Sequence, residues 1–566
     1  MDDAKFSQYL SRFQNGRLDR RRLIGGAAAA VAASALAGPA RGVMAGPRAL
    51  PSRQIDAKTI VIADDLRPGA QWITLDPAWI YEINAGLAFV LNYESLYDLP
   101  DSTKPAEFTP LLAADFPQVS EDGLEVTIPL RTDIKFHSGN AMTADDVIFS
   151  WNRLKNIKYQ PSFLATDYWT SVDAVDDHTI KLTLPSPNAA LVSILSAQPL
   201  AVTDSKLLKE NGGTDAEDAD KTDTAKDWVN KGNSAGTGPF KLTKWDLGNE
   251  VVLERHEGYW GEPSKFDRLI VRNIPDANSQ LQAVQTGEAD IAYSLDPDVA
   301  ASVKEDPNLQ LISGPSLAIE YIAMHTQEAV GGPLSNKTLR QALGYAIDYD
   351  GIINGLMAGA AIQPATIAAE PLPGTIEVQD KKYYTDIAKA QELFDAAGGG
   401  PLELTFSYGA GDIASGGLDL ETLATKLQAD LQQIQGLTIK LNPMDSAQRL
   451  EDYRASKLAF TVGPWTPDFP DIDAYAGPFG RSGTAAAKRV GYSNPDVDKL
   501  LDEGLAEQDP DKRAKIYAEV LTHIIEDAPF LILYQPVDQK PAAKAVQDVQ
   551  THSVYQLYLR NAYKSE

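Results

Sequence analysis

The apolar run Phe530-Leu531-Ile532-Leu533-Tyr534, close to the end of a 566-residue chain, reads as a fully buried strand. Such a strand belongs inside a sheet, and this late in the chain it returns to one built earlier. At least one lobe is therefore discontinuous in sequence. The length also exceeds one ordinary domain, so two or more lobes are expected, each with its own core.

Upstream, strand signals alternate with helix signals. Residues 60–63, 124–130, 134–137 and 178–184 read as strands, the second opening after Asp122-Gly123 and the third closing before Ser138-Gly139-Asn140. Residues 141–154 change period. Thr143 is placed as an N-cap with Asp145-Asp146 in the first turn, and Val147, Phe149, Ser150, Trp151 and Leu154 form a largely apolar face. Residues 239–245 and 250–255 flank Asp246-Leu247-Gly248-Asn249, a hairpin signal. Helices are predicted at 277–286, 336–349, 387–397, 418–435, 446–458 and 496–526, the last broken at Asp509-Pro510. Residues 207–236, with Asp215, Glu217, Asp218, Asp220 and Asp223, read as an acidic surface insertion. The pattern is mixed α/β without an internal repeat.

Composition narrows the function. There is no cysteine, so disulfides, thiolate mechanisms and iron–sulfur clusters held by Cys alone are excluded. Six scattered His and six Met supply no haem, copper or multi-zinc pattern, and no cofactor or metal is expected. A net charge of −27 argues against nucleic acid or an anionic membrane as a partner of the body.

Residues 1–45 differ from the rest. Arg12, Arg17 and Arg20-Arg21-Arg22 precede an uncharged block, Leu23 to Gly38, made of Ala, Gly, Leu, Ile, Val and one Ser. Basic, then apolar, then small is the order of an export signal, and the block is short of the ~20 residues of a spanning helix. Asp19-Arg20-Arg21-Arg22-Leu23-Ile24 resembles the twin-arginine signal, which implies export after folding into a periplasm. Cleavage is placed after Ala45, with Ala37 or Ala40 as alternatives.

Three ordered blocks then carry a family resemblance. The first comprises Tyr93-Glu94-Ser95-Leu96-Tyr97, Leu112-Ala113-Ala114-Asp115-Phe116, and Leu130-Arg131 through Lys135-Phe136-His137-Ser138-Gly139-Asn140 to Thr143-Ala144-Asp145-Asp146-Val147. The second comprises Gly236-Thr237-Gly238-Pro239-Phe240, Leu253-Glu254-Arg255, Gly258-Tyr259-Trp260 and Gln285-Thr286-Gly287-Glu288-Ala289-Asp290-Ile291. The third is Leu339-Arg340-Gln341-Ala342-Leu343 with Ala346-Ile347-Asp348. Together they resemble the extracellular solute-binding proteins of peptide-, opine- and nickel-type ABC importers, family 5. The resemblance implies a two-lobed periplasmic-binding-protein clamp of the cluster C type, α/β, with an extra subdomain. On that pattern residues 46–317 form lobe I, with the subdomain at about 96–230, residues 318–529 form lobe II, and residues 530–566 return to lobe I. Hinge crossings are placed near residues 316–323 and 528–534. The implied partners are a small-molecule or peptide ligand and a membrane permease with separate ATPase subunits, and the receptor is expected to be a monomer.

Trp465-Thr466-Pro467-Asp468-Phe469-Pro470-Asp471-Ile472-Asp473 resembles the family segment in which an aspartate meets a peptide's α-ammonium. Asp468 and Asp471 are the candidates, Asp471 preferred because the family shows an acid there most regularly; Ile472 stands where the family often has Pro. Trp465, Tyr475 and Tyr93 are candidates for stacking or hydrogen bonding, with core packing as the alternative for each. The loop of residues 408–417, where several dipeptide binders place a basic residue, contains no Arg, Lys or His, which leaves Arg481 as a candidate for a ligand carboxylate. Arg131, Arg255 and Arg340 lie in the signature blocks and read as structural.

Other classes have weaker support. Gly232-Asn233-Ser234-Ala235-Gly236 fits the G-x-S-x-G string but lacks the strand before and helix after that a nucleophile elbow needs. His256-Glu257 lacks the second His of H-E-x-x-H, and no Walker A string occurs. The expectation is a binding protein, not an enzyme, with an opine, oligosaccharide, polyamine or metal chelate as alternative ligands and a secreted glycosidase as the alternative class.

Overall fold

The C-terminal strand is Phe530–Ala543, nearly three times the length of its apolar run. Pro536 and Pro541 hide its second half from a sequence reading, because proline removes a ladder donor. In this computed structural model, which describes residues 56–67, 72–105, 107–293, 299, 302–303, 306–554 and 556–565, that strand is the axis of a 12-stranded sheet. The sequence-predicted export segment, residues 1–45, lies outside the described residues.

Across the sheet the strands run Leu437–Met444, Leu402–Gly409, Phe460–Trp465, Ile319–Met324, Phe530–Ala543, Ile291–Ala292, Thr59–Asp64, Arg268–Asn273, Glu250–Arg255 and Phe240–Asp246. Leu309–Pro315 and Ala361–Ile362 also pair with the C-terminal strand. The two ends of that strand feed different cores. Ala542 packs with Ile60, Ile62, Leu253, Leu269 and Ile291, whereas Leu531 and Leu533 pack with Ile322, Phe406, Ile439 and Val462. Phe530 and Ile532 alternate onto the opposite face, against Tyr321, Phe479 and Ile524, as the two-residue period of a strand dictates.

Two antiparallel strands pass together from one core to the other. Leu309–Pro315 pairs with residues 537–543 and Ile319–Met324 with residues 530–534, so the passage falls at Ser316 and Leu317 on one strand and Gln535 and Pro536 on the other. Buried Gln535 joins the passing chains. Its Nε2 donates to the carbonyls of Ser316 (2.7 Å) and Glu370 (2.8 Å), and its Oε1 accepts from the Glu370 N–H at 2.8 Å. Gln535→Leu orphans these groups and is expected to cost about 2–4 kcal/mol, read as a lower urea midpoint at unchanged slope.

A separate four-stranded sheet has the order Gln118–Val119, Glu125–Pro129, Thr179–Thr183, Ser171–Asp176. Helix Ala144–Ile157 packs on its core and starts as the sequence predicts, with the Thr143 N–H donating to Asp146 Oδ2 at 2.9 Å and Val147, Phe149, Ser150, Trp151 and Leu154 buried. Two sequence expectations change here. Residues 134–137 form no strand, only a bridge between Lys135 and Ala141, because His137 is drawn to the second signature block: its N–H donates to the Gly236 carbonyl and its Nε2 lies 2.8 Å from the Gly238 carbonyl. Residues 207–236 are not merely a surface insertion, since Leu208, Ala219, Ala225 and Val229 are buried and the Asp223 side chain is 0 % exposed. The reason is Arg153, whose guanidinium holds Asp76 (2.6 Å) and Asp223 (2.7 Å) in a triad shut off from water.

The signature blocks meet one another. Glu94, buried, accepts from Thr237 Oγ1 (2.8 Å), Tyr259 Oη (2.8 Å), Trp260 Nε1 (3.0 Å) and Arg560 (2.7 Å). Gly236 and Gly238 lie against the backbone of Leu91 and Asn92 so closely that a Cβ would fall 1.9 Å and 2.4 Å from their carbonyl oxygens. Arg340 donates to the carbonyls of Leu334, Ser335, Asp527 and Ala528. These residues hold the fold.

Candidate ligand-binding cleft

The strand Phe460–Trp465 lies inside the sheet and ends at Trp465, where Pro467 and Pro470 interrupt the chain before helix Asp473–Gly480. The intervening loop carries the acidic and aromatic residues singled out from sequence. Trp465 Nε1 donates to the Ala474 carbonyl at 3.1 Å and its ring meets Phe479 edge-on at 5.1 Å, so the indole folds the loop back onto its own core. Phe469 points the other way, buried among residues of the separate sheet, with its ring edge-on to Tyr168 at 5.9 Å.

Asp468 and Asp471 end in different surroundings. The Asp468 carboxylate accepts from Tyr81 Oη at 2.6 Å and forms no ion pair among the described residues. It opens on a cleft of about 820 Å³, counting its open mouth, lined by Ile80, Tyr81, Glu82, Ile83, Leu164, Gln198, Pro199, Thr466, Pro467, Ser553 and Val554. Burial raises the Asp468 carboxyl above the usual range, against the lowering effect of the Tyr81 hydroxyl. Asp471 is gripped bidentately by Arg513, at 2.9 Å and 2.7 Å, and its Oδ1 also accepts from the Asp473 N–H at 2.8 Å. Asp471 and Arg513 line a second cleft of about 830 Å³, together with Phe108, Phe116, Ser193 and Gln508. Behind them burial holds Asp473 up to about 6, with Tyr517 Oη donating to it at 2.9 Å.

The remaining sequence-predicted residues lie away from the Asp468 cleft. Tyr93 is in a core, stacked on Phe89 at 5.3 Å; Tyr475 is in another, its hydroxyl donating to the Leu317 carbonyl. Arg481 pairs with Asp502 at 2.8 Å. Of the six, Asp468 alone lines the first cleft and Asp471 alone the second. Tyr81, Glu82 and Arg513 were not singled out from sequence, and no local motif marks them.

The loop of residues 408–417 is tied to a buried acid. The Ser415 N–H donates to Glu320 Oε2 at 2.9 Å, while Glu320 Oε1 has no hydrogen-bond partner among the described residues. Burial pushes the Glu320 carboxyl up to about 7. An acid raised in the folded state contributes stability below its ordinary pKa and loses it as pH rises through the folded value. The wild-type chain is therefore expected to lose on the order of 3 kcal/mol relative to Glu320→Gln between about pH 4.5 and 7, read from urea midpoints at pH 4.5 and 8.

Ser234 of the G-x-S-x-G string lies 2.6 Å from His137 Nδ1, but the string occupies a loop between helix Ala225–Val229 and strand Phe240–Asp246, the reverse of an elbow's strand-to-helix order. Among the described residues no helix is long and apolar enough to cross a membrane, and no group of three or more His, Asp or Glu could hold a metal ion.

Comparison with known proteins fits this architecture. Residues 107–487 match the family model of bacterial extracellular solute-binding proteins, family 5 Middle. The chain is 28 % identical over 466 residues to a probable D,D-dipeptide-binding periplasmic protein, DdpA, of Escherichia coli, covering 82 % of this chain and 86 % of the relative. It is 30 % identical over 474 residues to Heme-binding protein A of Haemophilus influenzae, covering 78 % and 81 %. Among solved structures, HbpA2 of Haemophilus parasuis superposes with a TM-score of 0.78 at 23 % identity over 90 % of this chain and all of that one. The periplasmic binding protein DppA of Helicobacter pylori in complex with peptide STSA does so with a TM-score of 0.68 at 23 % identity, over 90 % and 98 %. With a family match that spans most of the chain and a fold shared along nearly its whole length, the protein belongs to the bacterial extracellular solute-binding proteins of family 5.

Proposed function

We propose that the chain is the periplasmic receptor of an ABC importer and captures a peptide or peptide-like solute in the Asp468 cleft. The lobes are residues 46–317 with 536–566 and residues 318–534, because Leu531 and Leu533 pack in the second core, and closure runs about the passage at Ser316 and Gln535. One observation carries the reading: a carboxylate without a cationic side-chain partner among the described residues, Asp468, faces a largely apolar cleft whose walls come from residues 80–83 and 198–199 on one side and 466–468 on the other. A ligand that touches both walls stabilises the closed form, which is how such a clamp responds to its solute. The ligand's ammonium meets Asp468 through a charge-assisted hydrogen bond while its backbone and apolar side chains fill the cleft.

Delivery to a permease with separate ATPase subunits, export of the folded chain by the twin-arginine route and a monomeric state complete the proposal. Binding without turnover is part of it. Relatives are named for glutathione and haem, ligands that carry carboxylates. The described lining of this cleft has two acids and no Lys, Arg or His, which favours peptides with a free amine and fewer carboxylates than either. Thermal unfolding against a panel of peptides, opines, oligosaccharides, polyamines and metal chelates tests the reading. A ligand at 100 times its Kd adds about 2.7 kcal/mol. Stabilisation by free-amine peptides supports the proposal, stabilisation only by a sugar or a chelate removes the peptide, and turnover of a panel member removes the receptor.

A further inference from the structure

The cleft holds a second carboxylate that the α-ammonium does not need. Glu82 lines the same walls as Asp468 and, among the described residues, has no ion pair; its carboxylate accepts from the Tyr81 N–H at 3.3 Å and from its own N–H. Lys226, whose charge acts on it, lies over the Trp79 ring at 3.9 Å and makes no salt bridge with it. A third polar group stands on the same lining: Ser553 Oγ is buried and has no hydrogen-bond partner among the described residues. Holding a half-buried carboxylate and a buried hydroxyl beside Ile80, Leu164 and Val554 is costly unless something pairs them.

We infer that the cleft is specific for ligands with two cationic groups, a free α-ammonium at Asp468 and a second ammonium or guanidinium, such as a lysyl or ornithyl side chain, at Glu82. The inference rests on the proposed peptide reading. One acid is enough to orient an α-ammonium, whereas two acids without a base on the described lining leave a net negative cleft that a singly charged ligand does not neutralise. Ser553 Oγ accepts a remaining N–H of the second cation, which gives a hydroxyl that is otherwise orphaned its partner.

The test uses the full chain and three tripeptides, Lys-Ala-Ala, Ala-Lys-Ala and Ala-Ala-Lys, each titrated calorimetrically against its ε-acetylated form. At one of the three positions the free ε-amine is expected to bind about tenfold or more tighter than the acetylated peptide, and in Glu82→Gln that gap closes to about twofold or less. A thermal unfolding midpoint of Glu82→Gln close to that of the wild-type chain shows that the variant is folded. Equal affinities for all three wild-type pairs overturn the inference and leave the peptide reading standing, as does a gap that persists in Glu82→Gln. If none of the six peptides binds the wild-type chain, the peptide reading falls and the inference with it.

Discussion

Asp468→Asn is expected to weaken binding of a free-amine peptide by about 10- to 150-fold, the equivalent of about 1.5–3 kcal/mol for one charge-assisted hydrogen bond. The same substitution leaves binding of the N-acetylated peptide unchanged, because an amide has no charge for the carboxylate to meet. Asp471→Asn behaves differently. Its carboxylate neutralises Arg513 at 2.7 Å, so the variant strands a guanidinium between helix Pro510–Asp527 and the loop. The expected effect is a lower unfolding midpoint, with selectivity for the free amine retained. Acidification separates the two sites as well. Burial raises the Asp468 carboxyl, so affinity for the free amine falls as pH drops through a value above the ordinary aspartate range. Titration calorimetry with one tripeptide and its acetylated form, on the two variants and across pH, checks each part.

Arg153→Met is expected to destabilise the fold by about 3–5 kcal/mol, the largest single effect among the substitutions named. The guanidinium makes four hydrogen bonds of 2.6–2.8 Å to Asp76 and Asp223, and the three side chains are at most 1 % exposed. Without it, two carboxylates stay buried with no countercharge. Converting both acids to Asn in the Arg153→Met background restores part of the loss, since an amide is far cheaper to bury than an ion and keeps an acceptor for the Ala78 N–H and for one of the Thr214 and Ala225 N–H groups. Denaturant unfolding of the three chains checks this. A triple variant no more stable than Arg153→Met would show that the arginine acts through packing, not charge.

Elements whose signals are local were legible in the sequence. Helix Ala144–Ile157 carries its own cap and face, the hairpin of Phe240–Asp246 and Glu250–Arg255 has its turn residues, and the break at Asp509-Pro510 separates helices Pro495–Ala506 and Pro510–Asp527. What depends on distant partners was not. Residues 134–137 have a strand's composition, yet His137 is held by Ser234 and Gly238 across about a hundred residues. The far half of Phe530–Ala543 reads as loop because of its prolines, and forms a strand because Leu309–Pro315 lies alongside. Asp223 reads as a solvated acid in an acidic run until Arg153 is seen beside it.

The same limit applies to the cleft. Asp468 and Asp471 are the same residue type in one loop, and although the family resemblance prefers Asp471, local sequence does not show how their surroundings differ. Their difference comes from Tyr81, 387 residues away, and Arg513, 42 residues away. Tyr93, Trp465 and Tyr475 are large amphipathic side chains that suit a cleft or a core equally well, and each has its ring packed against core residues.

A crystal structure of the chain with a bound peptide tests the central claim most directly. The ligand is expected between residues 80–83 and 466–468, its α-ammonium within about 3.2 Å of the Asp468 carboxylate. A ligand whose amine is met in the Asp471–Arg513 cleft, or which leaves the Asp468 carboxylate on Tyr81 alone, would contradict it.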